Sequence, residues 1–201
     1  MSIVDIASGT VERSFPVGGE PEGVTATPGG KQVWVTSEAT GTVSVLDVAA
    51  GKITNTIKVG HRPRSIAFTP DGTRAYVNAE NDGGIVLVDA LKYKMIEAIP
   101  LGKPGTIKPM GLVMSPDGKQ LFVSTGRGHM AFTVDTQSNK PIGSVEVGGR
   151  AWGIALSPDA KTLFTANGPT NDVAVVDVAT NKVIKKIAAG KSPWGIVALD
   201  R

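Results

Sequence analysis

The sequence predicts an all-β fold, a β-propeller of four-stranded antiparallel blades, and three series of repeated markers predict it. Val-Asp or Leu-Asp recurs at Val4-Asp5, Leu46-Asp47, Val88-Asp89, Val134-Asp135 and Val176-Asp177, with steps of 42, 42, 46 and 42 residues between the aspartates. An apolar-glycine pair keeps the same beat at Val17-Gly18, Val59-Gly60, Leu101-Gly102, Val147-Gly148 and Ala189-Gly190. Turn triplets keep it too, at Pro28-Gly29-Gly30, Pro70-Asp71-Gly72, Pro116-Asp117-Gly118 and Pro158-Asp159-Ala160. Short β-runs repeating at such a period are what one blade per repeat produces.

The strands of one repeat follow in order along residues 20–60. Residues 23–26 form a short run that ends at the Pro28-Gly29-Gly30 turn, and residues 32–36, 42–46 and 53–59 form three more. Each is rich in β-branched or aromatic residues and is bounded by Gly, Pro, Asn, Asp or Ser, and most alternate apolar with polar. These four runs are strands a, b, c and d. No window carries a sustained 3.6-residue apolar period, so almost no helix is expected. Residues 1–201 read as one β-propeller domain with full repeats at 20–60, 61–102, 103–148 and 149–190. Residues 1–18 match strands c and d alone, and 191–201 match strand a alone. Two arrangements fit these ends: a five-bladed ring with one incomplete blade, or part of a larger propeller. The chain's start in mid-blade favours the second. In either case the incomplete blade edges offer a route to self-association.

Composition narrows the function classes. Apolar residues make up 41% of the chain and charged residues 19%, a globular balance. The net charge of +3 is mild and no basic run occurs, so no nucleic-acid partner is expected. No apolar stretch is long enough to span a membrane. The chain has no cysteine, which removes disulfides, thiolate catalysis and Cys-based metal sites. The first residues do not read as a signal peptide.

Strand alternation sorts the loops onto two faces. The d–a and b–c connections share one face, and strand a lies innermost, so the residues that open strand a ring the channel mouth there. In register these are Glu22, Arg64, Met110, Trp152 and Trp194. Their neighbours include Glu20, His61, Arg62, Lys108, Arg150 and Lys191, and the b–c turns add Glu38, Glu80, Arg127, His129 and Asn167. Variation at these positions against a constant scaffold marks a binding surface. The expected site is therefore Glu22, Arg64, Met110, Trp152 and Trp194, with His61 and Arg150 close by. Arg64 and Glu22 have opposite charges and can pair. Trp152 and Trp194 can line an apolar cleft or plug the channel.

Other features read as scaffold. The repeated aspartates bond turn amides, and the Pro-Asp-Gly series is turn chemistry. Trp34 packs between blades. His61 and His129 are too few for a His-only metal site, although Glu38 or Glu80 on the same face could join them. Gly126-Arg127-Gly128 is too short for a phosphate loop, and no nucleophile elbow occurs. No catalytic residue, metal or cofactor is assigned.

The segments 60–72, with Pro70-Asp71-Gly72, and 171–182, with Val176-Asp177, resemble YVTN-type β-propeller repeats over nearly the whole chain. The segments 17–23 and 191–196 and the longer spacer 103–109 are similar to a subgroup, the β-propeller proteins associated with pyrroloquinoline-quinone-dependent catabolism. The resemblance implies a periplasmic location, near quinoprotein alcohol oxidation, and a likeness to the C-terminal part of a propeller of about seven blades. It brings no catalytic residues. The function expected is a non-catalytic binding or scaffold propeller that presents its d–a/b–c face to a partner protein or small ligand. The alternative is a hydrolase or lactonase-type enzyme with a polar or metal site at the channel mouth.

Overall fold

In the computed structural model, which describes residues 1–199, the repeats fold as a series of antiparallel meanders. The first sheet has two strands, β1 (Ser2–Val4) and β2 (Val11–Ser14). Four sheets of four strands follow. They are β3 (Pro21–Ala26), β4 (Gln32–Ser37), β5 (Thr42–Asp47) and β6 (Lys52–Lys58); β7 (Ile66–Phe68), β8 (Arg74–Ala79), β9 (Gly84–Asp89) and β10 (Lys94–Pro100); β11 (Pro109–Met114), β12 (Gln120–Thr125), β13 (Met130–Asp135) and β14 (Lys140–Glu146); β15 (Ala151–Leu156), β16 (Thr162–Asn167), β17 (Asp172–Asp177) and β18 (Lys182–Ala188). Among the described residues the only helix is a 3-10 turn at Glu80–Asp82.

The turn chemistry is local. Ala50 N donates to Asp47 Oδ1 at 2.7 Å, Ser138 N to Asp135 at 2.7 Å and Thr180 N to Asp177 at 2.7 Å. Each aspartate thus closes its c–d turn by taking an orphan amide. In the Pro-Asp-Gly turns, Asp71 accepts Thr73 N at 3.0 Å and Asp117 accepts Lys119 N at 3.0 Å.

The core lies between the sheets, face to face. Trp34 on β4 is fully buried and meets Phe68 of the next sheet edge-on, with ring centroids 5.0 Å apart. Its indole N–H donates to Gln32 Oε1 at 3.1 Å, and Gln32 Nε2 donates to the Tyr93 hydroxyl at 2.7 Å. The only polar atom that burial of this large ring would orphan is thereby satisfied.

The first strands pack side by side round the inside of the array, and small residues let them do so. A Cβ at Gly23 would stand 2.0 Å from the Arg64 carbonyl oxygen, and one at Gly111 would stand 2.7 Å from that of Trp152. Buried polar side chains on the second strands fasten the same joints. Asn78 accepts the backbone N–H of Arg64 at 2.7 Å and donates to the Met110 carbonyl. Ser124 accepts Gly111 N at 3.0 Å and donates to the Trp152 carbonyl at 2.8 Å. Alanine, Ala166, stands at the equivalent position of the fourth full sheet.

Residues 191–199 depart from the strand a expected there: they form no strand, and the sheet of β1 pairs only with β2. Their backbone still continues the inner ring, since a Cβ at Gly153 would lie 2.9 Å from the Trp194 carbonyl oxygen. A strand is defined by its hydrogen-bonded neighbour, and among the described residues no strand pairs with this segment.

Candidate functional site at the channel mouth

The inner strands bring the five strand-opening side chains together. Glu22, Arg64, Met110, Trp152 and Trp194, with Ser65, line one cavity of about 230 Å³. Because they occupy one register position in five successive repeats, the shared tilt of the inner strands delivers them to one place. Arg150 lies beside this group, its guanidinium carbon 4.9 Å from the centre of the Trp152 ring, a cation–π contact. Trp152 and Trp194 meet edge to face at 5.2 Å. His61 is not part of this cavity; it lines a neighbouring one with Glu20, Glu38 and Arg62.

One half of the mouth is ionic. Arg64 Nη1 contacts Glu22 Oε1 and Glu38 Oε1, each at 3.0 Å, and Arg64 Nε donates to Glu80 Oε2 at 2.5 Å. Arg62 Nε donates to Glu38 Oε2 at 2.6 Å, and Lys108 Nζ to Glu80 Oε1 at 2.9 Å. Three carboxylates and three cations from three sheets make a neutral cluster, which is what permits its burial. Burial pushes the Glu80 carboxyl up, but hydrogen bonds from Arg64 and Lys108 outweigh it and hold it below the usual carboxylate range. The hydrogen bond to Glu38 raises Arg62 further above its ordinary value. Glu22 is the open carboxylate of the cluster, with 32% of its side chain exposed against 6% for Glu38 and 7% for Glu80.

The other half is apolar. Where the first two full repeats carry Glu38 and Glu80 after the second strand, the next two carry Gly126 and Gly168. The missing side chain at Gly126 leaves room for Met110 and the Trp152 indole. Trp152 Nε1 is buried without a hydrogen-bond partner, close to the space a side chain on Gly126 would take. Arg150 and Arg127, both on the cavity shared with Glu80 and Lys108, have no carboxylate partner among the described residues.

The sequence reading anticipated the Glu22–Arg64 pair but missed the inward turn of Glu38 and Glu80 and the reach of Lys108. The detectable signal was a glutamate repeated at one position, 38 and 80, followed by glycine in the later repeats. The histidine-centred metal arrangement does not form: His61 instead bonds Asp82, and no group of three or more His, Asp or Glu side chains suited to a metal ion occurs among the described residues.

Repeated antiparallel sheets round an inner ring, with an acid, cations and aromatic rings at the mouth, define a β-propeller with a mixed polar and apolar pocket. Residues 20–182 match the lactonase family of 7-bladed beta-propellers, and the chain belongs to that family. Its fold is similar to that of Kuenenia stuttgartiensis hydrazine synthase, with a TM-score of 0.79 and 24% identity over 86% of this chain and 50% of that one. It is also similar to a provisionally assigned 6-phosphogluconolactonase from Bacteroides uniformis, with a TM-score of 0.75 and 18% identity over 92% of this chain and 61% of that one. The chain thus spans between half and about three-fifths of these two chains. Comparison with curated proteins gives no match.

Family membership corrects the main functional expectation. A non-catalytic binding or scaffold role followed from the lack of a compact nucleophile–base–acid set in the sequence. The match over residues 20–182 is to a lactonase family and favours the hydrolase alternative. Hydrolysis of a reactive ring ester needs only a positioned water, a base and charge stabilisation, so no nucleophile motif need appear in the sequence.

Proposed function

We propose that the channel mouth of this chain hydrolyses lactones. The observation that carries this reading is the shared cavity of Glu22, Arg64, Met110, Trp152 and Trp194. Membership of the lactonase family supports the reaction class. A lactone ring has apolar faces and a polar ester edge, and the pocket matches both. Trp152, Trp194 and Met110 offer the apolar wall. Glu22 Oε1 accepts from Arg64, and its other oxygen, without a partner among the described residues, takes a proton from the attacking water. The water oxygen adds to the carbonyl carbon, the ring C–O bond breaks, and the departing alkoxide recovers the proton to give a hydroxy acid. Arg64, bonded to three carboxylates, holds Glu22 in place. Arg150, stacked on Trp152 and without a carboxylate partner among the described residues, balances the charge that develops on the carbonyl oxygen.

The assignment of one structural neighbour as a 6-phosphogluconolactonase makes six-membered sugar lactones the first substrates to try. YVTN-type repeats belong to the same proposal and rest on the repeat resemblance, and a periplasmic setting rests on the resemblance to the quinone-associated subgroup; cell fractionation tests the setting. Titration of acid released from δ-gluconolactone tests the activity. A rate above the spontaneous one, saturable in lactone, supports the reading, and a rate equal to the protein-free control overturns it.

A further inference from the structure

His61 and Asp82 form a pair that occurs in one repeat only. The positions equivalent to His61 hold Gly19, Ile107, Gly149 and Lys191, and the turn Asn81-Asp82-Gly83 stands where the first full repeat has Ala39-Thr40-Gly41. What the scaffold requires recurs in every blade, so a pair found once is free for other chemistry.

Asp82 captures the histidine at two points. Its Oδ2 accepts the His61 backbone N–H at 2.8 Å, and its Oδ1 faces His61 Nδ1 at 2.7 Å. The carboxylate thus selects Nδ1 as the proton-bearing nitrogen, so that in the neutral imidazole the lone pair lies on Nε2. His61 lines a cavity of about 430 Å³ with Glu20, Glu38, Lys58, Arg62 and Asn81. Asn81 Oδ1 accepts Lys108 Nζ at 3.2 Å, which fixes the amide plane. Its Nδ2 then remains a donor with no acceptor among the described residues. A base oriented by a carboxylate and a free amide donor on one cavity are the parts acyl hydrolysis uses.

We infer that this cavity, between the loops of the first two four-stranded sheets, is a second acyl-hydrolysis centre for small open-chain esters, with His61 as general base and Asn81 as oxyanion donor. Its walls are mostly polar and carry no Phe, Tyr or Trp, which suits a small ester better than a ring that needs an apolar wall. His61 Nε2 takes a proton from water while the water oxygen bonds to the ester carbonyl carbon. Asn81 Nδ2–H donates to the resulting oxyanion. The C–O bond to the alcohol then breaks, and the imidazolium returns its proton to the leaving alkoxide.

Release of p-nitrophenol from p-nitrophenyl acetate tests this, and an open-chain ester keeps the test separate from lactone hydrolysis at the channel mouth. His61→Ala should lower kcat/KM by roughly 100-fold. Asp82→Asn, which permits the wrong tautomer, should lower it by about tenfold or more. His129→Ala should leave the rate unchanged. His61 is 81% exposed, so its replacement leaves folding intact, and thermal unfolding verifies this for each variant. Equal rates for wild type and His61→Ala overturn the inference. So does an unchanged rate in Asp82→Asn, or a loss in His129→Ala as large as that in His61→Ala, which would reflect ordinary solvent-exposed imidazole.

Discussion

Arg64 Nη1 lies 3.0 Å from Glu22 Oε1, although the two residues stand 42 positions apart and occupy the same place in successive repeats. A repeat protein that substitutes opposite charges at equivalent positions can pair them across a blade joint. Here the pair forms the open edge of a six-membered ionic cluster, of which Glu38 and Glu80 are the buried part.

The buried carboxylates should be costly to neutralise. Glu80→Gln leaves Arg64 and Lys108 each short of a buried anionic partner. Breaking a buried ion pair on one side costs about 3–5 kcal/mol, and partial exposure of Lys108 puts the expected loss at the lower end. Urea unfolding of wild type and variant measures it. A loss below about 1 kcal/mol would mean that water replaces the carboxylate freely.

The inner joint predicts a steric effect at Gly23. A methyl group there would lie 2.0 Å from a backbone carbonyl, which has no flexible end to yield. Gly23→Ala should destabilise by about 1–3 kcal/mol through forced separation of the first strands. Gly29→Ala is the control, because nothing lies within 4 Å of its Cβ position. Equal melting temperatures for the two variants would contradict the close approach.

Trp34 fixes the contact between the first two full sheets. Trp34→Ala should cost about 3–5 kcal/mol, the range for emptying a buried aromatic site. Calorimetric unfolding checks this. Because the ring is far from solvent and bonded to Gln32, a change under about 1 kcal/mol would show that Phe68 and Tyr93 close the gap.

Acid should unfold the protein through its turns. Hydrogen bonds from Ser115 and Lys119 hold Asp117 below the ordinary value of 3.8, those from Ser138 do the same for Asp135, and those from Thr180 for Asp177. Glu80 is likewise held below 4.5. A carboxyl with a lowered folded value adds stability that is complete above the unfolded value and lost as pH falls through the folded one. The melting temperature should thus show no loss from these groups between about pH 8 and pH 5, then fall below about pH 4. A fall that began near neutrality would point to other groups.

The sequence made much of this legible because repetition converts local signals into global ones. Asp47 and its equivalents announced the c–d turns, since a carboxylate bonding an amide three residues on needs no distant partner. The convergence of Glu22, Arg64, Met110, Trp152 and Trp194 followed from register alone. Lys108 was harder to read, because it follows the longest loop in the chain and reaches Glu80 at a distance register does not set. The His61–Asp82 pair was missed for the same reason: its partners face each other only after the 3-10 turn at Glu80–Asp82 folds. Reaction class was the least legible, since one propeller scaffold carries many chemistries.

Glu22→Gln tests the proposed chemistry most directly, because it removes the base while keeping shape and one acceptor for Arg64. With δ-gluconolactone as substrate, kcat should fall by about 100-fold or more with KM nearly unchanged. Retention of wild-type kcat in a folded Glu22→Gln protein would contradict the role of this carboxylate and, with it, the reading of the channel mouth as the hydrolytic site.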